Sequence, residues 1–259
     1  CVNLIQLASG IALNDDRNTI KVSDVEWVIE NGQYTPRPEK KIKGKPEVGF
    51  VNALAVYGAN LGTVMEVEAS AKKVNLRRGR IRITGIVEEE EMDNSTGKSI
   101  RKSTAKCSVE NVITVIERVF NIDCDNYDIH INFPGGAPVD GPSAGISIAS
   151  AVYSAILNIA VDNEVAMTGE LSIHGEVKPI GGVNAKIQAA IKAGAKTIII
   201  PEDNWQDSFK QFKGVKIIPV KDIKEVIELA LVKDYKDSIP LTIESNIDAL
   251  SAKSLKANA

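Results

Sequence analysis

The segment GEVKPIGGVNAKIQAAIKAGAKTIII, residues 175–200, places a helix and a strand in immediate succession. Its apolar residues recur at helical spacing and share one face: Val183, Ile187, Ala190 and Ile191. This pattern predicts an amphipathic helix over 183–193, and the β-branched run TIII predicts a strand. A short helical piece, the strand VKIIPV and a helix over 221–232 continue the alternation. Such alternation is typical of chains in which helices cover a sheet.

The chain before this segment is rich in strand patterns. VGFVNALAVYG and TVMEVEASAKKV are β-rich runs separated by a short turn at Asn60–Gly62, and GRIRITGIVEE alternates apolar and charged residues as a half-buried strand does. One helix is predicted in SVENVITVIERVF, with Ser108 as its expected N-cap, and the strand DIHINF follows. Together these patterns predict one α+β or α/β domain over residues 47–233.

A separate helical piece precedes this domain. Residues 2–13 predict a helix, and Ser23 with Glu26 three residues later predicts a capping box that starts a second helix. Gly32 is expected to close that helix. Residues 1–35 are too few to bury a core of their own, so we expect them to be the end of another domain.

Two further stretches have the composition of connecting or terminal segments. Residues 36–46 are rich in proline and lysine, which predicts a solvated linker, and residues 234–259 predict a flexible tail. Position 1 is Cys rather than Met, so we expect a processed or cut chain. An N-terminal cysteine nucleophile, activated by its own amine, is the less favoured interpretation.

Composition excludes several classes of function. The chain is 44% hydrophobic and 25% charged, as ordinary soluble globular proteins are. Its net charge of −3 is spread along the sequence, so we expect no nucleic-acid partner. No apolar run approaches the roughly 20 residues of a membrane span, and no signal peptide is recognisable. The three cysteines form no CxxC pair, which favours a reduced, cytoplasmic setting.

The first candidate catalytic residue is the serine of APVDGPSAGISIASAVYSAIL. Pro142 is suited to the first position of a helix, so Ser143 is expected in the first turn, where free N–H groups and the helix dipole stabilise negative charge. An oxyanion hole is easily built there. Small neighbours, among them Gly141, would let a substrate backbone approach. A helix start with an unremarkable polar residue is the alternative interpretation.

The second candidate is Lys186, which falls at the edge of the apolar face of the helix over 183–193. A lysine that faces inward loses hydration, and desolvation favours its neutral amine. A neutral amine can take the proton of a serine hydroxyl at neutral pH. The alternative is a lysine whose stem packs on the core while its charged end reaches water.

Three motifs together resemble a known family: DGPSAG at 140–145, AMTGELS at 166–172 and PIGGVNAK at 179–186 resemble the Lon protease signature. The resemblance covers residues 47–232 and is greatest to the bacterial LonB subgroup. It implies an α+β Lon proteolytic domain of mixed sheets with packed helices, related to GHMP-kinase-like folds. It also implies a serine endopeptidase with a Ser–Lys dyad, in which Ser143 is the nucleophile and Lys186 the base.

Further roles follow from the resemblance alone. Thr168 is expected to orient the Lys186 amine, and backbone N–H groups at Asp140 and Ser143 are expected to form the oxyanion hole. Pro142 has no N–H to contribute. A carboxylate at Asp140 close to Lys186 would raise the pKa of the lysine and oppose catalysis, so the site is expected to rearrange for activity.

The resemblance also implies partners and cofactors. Residues 1–35 look like the end of an AAA+ small subdomain, so ATP and Mg²⁺ would belong to an ATPase module outside this sequence. The peptidase chemistry itself would need no metal or organic cofactor. Expected partners are peptides or unfolded proteins, and other copies of the chain in a homo-hexameric ring.

Two other functions compete with the peptidase. A GHMP-type small-molecule kinase also places a Gly/Ser loop at a helix start, although its loop is richer in Gly and Ser than GPSAG. A catalytically silent Lon-like interaction domain is disfavoured because both Ser143 and Lys186 are retained.

Several motifs are interpreted as structural. NSTGKS contains the end of a P-loop, but Met92 replaces the required Gly. The acidic run Glu88–Glu91 is interpreted as a solvated strand end. His130 and His174 lack partners at the spacing of a triad or zinc site.

Overall fold

The computed structural model describes residues 2–32, 40–57, 61–85, 89–94, 97–135 and 141–232, with the side chains of 89–94 and 97–102 left out. The chain divides into two compact units, and the boundary lies between residues 39 and 40. This boundary falls within the stretch expected to be a linker.

The first unit contains two helices, α1 (Val2–Asn14) and α2 (Val22–Asn31), and Gly32 closes the second as expected. The capping box predicted from Ser23 and Glu26 is wrong, because the helix begins earlier, with Lys21 as its N-cap. The Asp24 carboxylate accepts the Lys21 N–H at 2.7 Å. It is fixed there by Arg17, whose guanidinium donates to it at 2.8 and 2.9 Å. This ion pair holds the pKa of Asp24 at about 2.

The second unit is built from thirteen strands and four helices within the described residues. The strands are β1 (Glu47–Val48), β2 (Phe50–Tyr57), β3 (Leu61–Lys73), β4 (Ile81–Thr84), β5 (Glu89–Asn94), β6 (Gly97–Lys102), β7 (Tyr127–Asn132), β8 (Ala160–Val161), β9 (Val165–Met167), β10 (Glu170–Leu171), β11 (Val177–Lys178), β12 (Thr197–Pro201) and β13 (Lys216–Val220). The helices are α3 (Thr104–Phe120), α4 (Gly145–Leu157), α5 (Val183–Ala193) and α6 (Ile223–Ala230).

Seven strands form one mixed sheet in the order β13-β12-β9-β2-β3-β7-β4. Strands β13, β12, β9 and β2 are parallel, whereas β3 is antiparallel to both β2 and β7. The remaining strands make three short two-stranded pairings. A mixed sheet with helices confirms the α+β class. Since β2 and β9 run in parallel with Ala53 beside Met167, Thr168 leaves β9 next to Leu54 of β2.

Alternate residues of the strands enter two hydrophobic clusters on opposite faces. Ala53 belongs to the cluster formed with α3, α4 and α6, whereas its neighbour Leu54 belongs to the cluster formed with α5. This period of two is what a strand covered on both faces requires. The inward-facing apolar stripe predicted for α5 is confirmed, and the helix spans Val183–Ala193 as predicted.

Two boundaries differ from the prediction. Helix α3 begins at Thr104, and Ser103 is its N-cap, with its hydroxyl accepting the Lys106 N–H at 3.2 Å. Ser108, the predicted cap, is buried inside the helix. Helix α6 is shorter than the predicted 221–232: the Asp222 carboxylate caps its start by accepting the Lys224 N–H at 2.8 Å, and after its end Leu231 pairs with Val161. Across the described ranges, none of the helices has the length and apolar character needed to cross a membrane.

Candidate active site

Lys186 lies in the first turn of α5 and points into the protein. Only 1% of its surface is exposed, so the prediction of an inward lysine is confirmed over the alternative of a solvated amine. Its neighbours on the same helix face, Val183 and Ile187, are also buried. Burial removes the hydration that stabilises an ammonium ion, and this lowers the pKa of Lys186 to about 8.

Thr168 contacts the lysine amine, as expected. Lys186 Nζ donates a hydrogen bond to Thr168 Oγ1 at 3.1 Å. The threonine hydroxyl in turn donates to the Ser143 carbonyl oxygen at 3.1 Å, with the Leu54 carbonyl oxygen farther away at 3.5 Å. Thr168 is fully buried. Its hydroxyl therefore joins the lysine to the backbone of the serine.

Ser143 occupies a 3₁₀ turn, Pro142–Ala144, that leads into α4. The prediction of a first α-helical turn is therefore wrong in detail, because α4 begins only at Gly145. Backbone hydrogen bonds join this turn to the chain after β9: Gly169 N–H donates to Ser143 O at 2.9 Å, and Ile146 N–H donates to Gly169 O at 3.2 Å. Ser143 as a residue is partly exposed, whereas Lys186 is buried.

Close packing fixes the position of this turn. A side chain at Gly145 would place its Cβ 2.7 Å from the Leu171 backbone nitrogen, which no real Cβ tolerates. Gly141, at the start of the turn, has φ +114°, a conformation that L side chains rarely adopt. Gly141 is therefore required for its backbone conformation, in addition to the small size noted from the sequence. Asp140 lies outside the described residues, so its expected N–H and carboxylate roles stay predictions.

The serine and lysine side chains are not hydrogen-bonded to each other. Within the part of the chain that the structure describes, no hydrogen bond joins Ser143 Oγ to Lys186 Nζ, and the connection runs through Thr168 and the Ser143 carbonyl oxygen. Catalytic hydrogen bonds are often long or absent before substrate binds. Thr168 therefore lies between the Lys186 amine and the Ser143 backbone.

One supporting residue escaped the sequence reasoning. The Asn204 side chain binds both backbone groups of Ile180: Ile180 N–H donates to Oδ1 at 2.8 Å, and Nδ2 donates to Ile180 O at 3.0 Å. Ile180 belongs to the PIGG loop that leads into α5. No local pattern predicts this contact, because the two residues are 24 positions apart.

The described parts of the motifs interpreted as structural agree with that interpretation. Gly97, Lys98 and Ser99 lie in strand β6 and not before a helix, as a phosphate-binding loop would require. His130 is partly exposed between the buried Ile129 and Ile131, as the alternation predicts. The side chains of Glu88–Glu91 lie outside the described residues. No group of three or more His, Cys, Asp or Glu residues suited to a metal occurs among the described residues.

The chain is similar to known proteins over most of its length. Residues 19–233 match the family described as the Lon protease (S16) C-terminal proteolytic domain. The chain belongs to the Lon protease family. Lon protease 2 of Bacillus subtilis is 50% identical over 249 residues, covering 96% of this chain and 45% of that protein. An archaeal Lon protease of Thermococcus kodakarensis is 36% identical over 249 residues, covering 88% of this chain and 36% of that protein.

This chain thus spans less than half the length of the Lon relatives it matches. The higher identity to the Bacillus protein than to the Thermococcus protein agrees with the resemblance to a bacterial subgroup. Membership of the Lon family makes the chain a peptidase domain of the serine type. It also disfavours the small-molecule kinase, which rested on a likeness of fold and on a Gly/Ser loop at a helix start.

Proposed function

We propose that this Lon domain hydrolyses peptide bonds through an acyl-enzyme on Ser143, with Lys186 as the general base. The observation that carries the proposal is the buried Lys186 amine, which is hydrogen-bonded to Thr168 and has its pKa lowered to about 8. Near neutral pH such an amine is neutral in an appreciable fraction of molecules, and a neutral amine can accept a proton.

Each half of the reaction, acylation and deacylation, needs two proton transfers at the Lys186 nitrogen. Lys186 takes the hydroxyl proton as Ser143 Oγ attacks the substrate carbonyl carbon, and it gives that proton to the leaving amine when the C–N bond breaks. In deacylation the same amine takes a proton from water and returns it to Ser143 Oγ. Thr168 accepts one amine N–H, which leaves the nitrogen lone pair free to point elsewhere.

The start of the α4 region suits a developing oxyanion. N–H groups in the first turn of a helical segment lack intrahelical acceptors, and Ser143 lies in that turn. We propose its N–H as one donor to the oxyanion. The second donor, the Asp140 N–H, is proposed from family resemblance.

Labelling with a peptide boronate tests this assignment. Intact mass should show one adduct on the wild type and none on Ser143→Ala, and peptidase activity should disappear in the same variant. Lys186→Arg keeps the positive charge but cannot act as a base, because a guanidinium stays protonated. Near-wild-type activity in Lys186→Arg would exclude the dyad. A folded wild type with neither adduct nor activity would favour the silent interaction domain.

The wider context is proposed from the Lon resemblance. Unfolded or regulatory proteins would be the substrates, a homo-hexameric ring the assembly, and ATP with Mg²⁺ the requirement of an ATPase module outside this sequence. A cytoplasmic setting is proposed from the cysteines: Cys107 and Cys124 are both free thiols. Burial raises the pKa of the Cys124 thiol to about 12, so it is unreactive.

A further inference from the structure

Strand β3 and helix α5 are in backbone contact at Gly62. A Cβ at this position would lie 1.9 Å from the carbonyl oxygen of Ala185 and 3.0 Å from the Ala189 Cβ. The backbone of Gly62 is not in the left-handed region, so the requirement for glycine is one of space. The contacting atom is a helix backbone oxygen, which cannot move away as a flexible side chain would.

A second close contact supports the same end of the helix. Val56 is the cross-strand partner of Gly62, and a Cβ at Gly182 would lie 2.8 Å from the Val56 side chain. Gly182 is the N-cap of α5, and its carbonyl oxygen accepts the Lys186 N–H at 3.1 Å. The first turn of α5 therefore lies directly on the end of the β2–β3 pair.

The closeness of α5 to β3 fixes the position of the Lys186 amine. Lys186 follows Ala185 directly, and its Nζ is 3.1 Å from Thr168 Oγ1. Relieving a Cβ at Gly62 from 1.9 Å to the 3.0 Å that real Cβ contacts require needs a shift of about 1 Å. A shift of that size, directed away from β3, would stretch the hydrogen bond to Thr168 and open the amine to water.

We propose that Gly62 is a positioning residue for catalysis: its missing side chain sets how closely α5 packs on β3, and thereby holds the Lys186 amine against Thr168 and away from solvent. The inference deepens the proposed function and rests on Lys186 as the base. Gly62 lies outside the three motifs that carry the family resemblance.

A matched control exists elsewhere in the sheet. A Cβ at Gly79 would lie 2.0 Å from the Tyr127 carbonyl oxygen, a clash as severe as that at Gly62. Gly79 precedes β4, which pairs with β7 at the sheet edge, whereas α5 packs on β2 and β3. Gly79→Ala should therefore lower the free energy of unfolding without changing the position or burial of Lys186.

The decisive measurement is an NMR titration of the Lys186 side chain in the full chain, with Lys186→Arg to assign its signal. In Gly62→Ala we expect the midpoint to rise by about 1 pKa unit or more, because a hydrated lysine titrates near 10.4. Where peptidase activity is measurable, kcat should fall roughly tenfold to a hundredfold with KM little changed. Gly79→Ala should leave the midpoint where it is in the wild type.

If Gly62→Ala does not fold, Ala189→Val provides the test, because it adds a smaller steric conflict at the same contact between α5 and β3. Unchanged Lys186 midpoints in the folded variants of this contact would overturn the inference, and so would an equal rise in Gly79→Ala. The titration needs no activity. A wild type that forms no boronate adduct contradicts the proposed function, whereas an unmoved lysine contradicts only the role of Gly62.

Discussion

The buried amine of Lys186 is held at an energetic cost. Desolvation is the cause of its lowered pKa, and no charged group among the described residues offsets it. The unfolded chain therefore binds a proton more readily than the folded chain between about pH 8 and 10.5. Stability consequently rises with pH across this window, and the cost is greatest below pH 8.

Removal of the amine should show this cost directly. Lys186→Met is expected to raise the free energy of unfolding at pH 7 by about 3 kcal/mol, since each pKa unit corresponds to ~1.36 kcal/mol. The gain should shrink by about 2 kcal/mol at pH 9.5. Urea denaturation at both pH values measures the difference in free energy of unfolding between wild type and variant, with the exposed Lys196→Met as control. A pH-independent difference between wild type and Lys186→Met would contradict the expectation.

The hydroxyl of Thr168 is the second residue on which the site depends. Thr168→Val keeps the shape but removes the group that accepts from Lys186 and donates to the Ser143 carbonyl oxygen. We expect kcat to fall roughly a hundredfold, because the amine loses its fixed orientation. Thr168→Ser retains the hydroxyl and should stay within about tenfold of the wild type. Equal activity of the Val and Ser variants would show that the hydroxyl plays no part.

At the scale of elements, the loop before α5 depends on a side chain from beyond β12. Asn204 supplies both an acceptor and a donor to the backbone of Ile180. Both partners are partly buried, so water replaces this pairing poorly. The N-terminal end of α5 is thereby fixed from one side by Asn204 and from the other by the contact with β3.

Asn204→Ala should lower the free energy of unfolding by about 1–3 kcal/mol, because it leaves two backbone groups unpaired. Asn204→Asp keeps the acceptor for the Ile180 N–H but sets a carboxylate oxygen against the Ile180 carbonyl oxygen, so it should also destabilise the fold. The exposed Asp203→Ala in the same turn is the control. Chemical denaturation of the three variants is the measurement. If all three were as stable as the wild type, the pairing of Asn204 with Ile180 would not stabilise the fold.

The residues that cap the starts of the helices were the least predictable feature. The sequence SIRKSTAKCSVEN offers three serines before the apolar stripe of α3, and only the fold shows that Ser103 is the cap. For α2 the carboxylate of Asp24, locked by Arg17, overrides the Ser23 and Glu26 pattern. Caps are chosen by local competition among several polar groups, and a linear pattern cannot rank them.

At the scale of the whole molecule, the sheet and both hydrophobic clusters lie entirely within the second unit among the described residues. Ser143, Thr168 and Lys186 lie there too. The first unit contributes no described residue to these clusters. The stability of the second unit is therefore expected to arise from its own contacts.

Deletion of residues 1–39 tests this independence. The remaining chain should unfold in one cooperative transition and keep its reactivity toward the peptide boronate at Ser143. Far-UV circular dichroism during thermal unfolding and intact mass are the two measurements. Loss of the cooperative transition, with the full chain as control, would show that the first unit supports the second.

The inward stripe of α5 was determined by sequence, because periodicity specifies which side of an element is apolar. Periodicity alone left open both α+β against α/β and a buried against a solvated Lys186, and the α+β class followed from the family resemblance. The three motifs likewise indicated Ser143, Thr168 and Lys186 before any geometry was known. Tertiary structure alone decided the 3₁₀ turn at Ser143, the hydrogen bond of Thr168 to the Ser143 carbonyl oxygen, the pairing of Asn204 with Ile180 and the backbone contact at Gly62. Apart from the turn, these features are contacts between residues far apart in the chain, and such contacts are fixed by close packing, which no local pattern encodes.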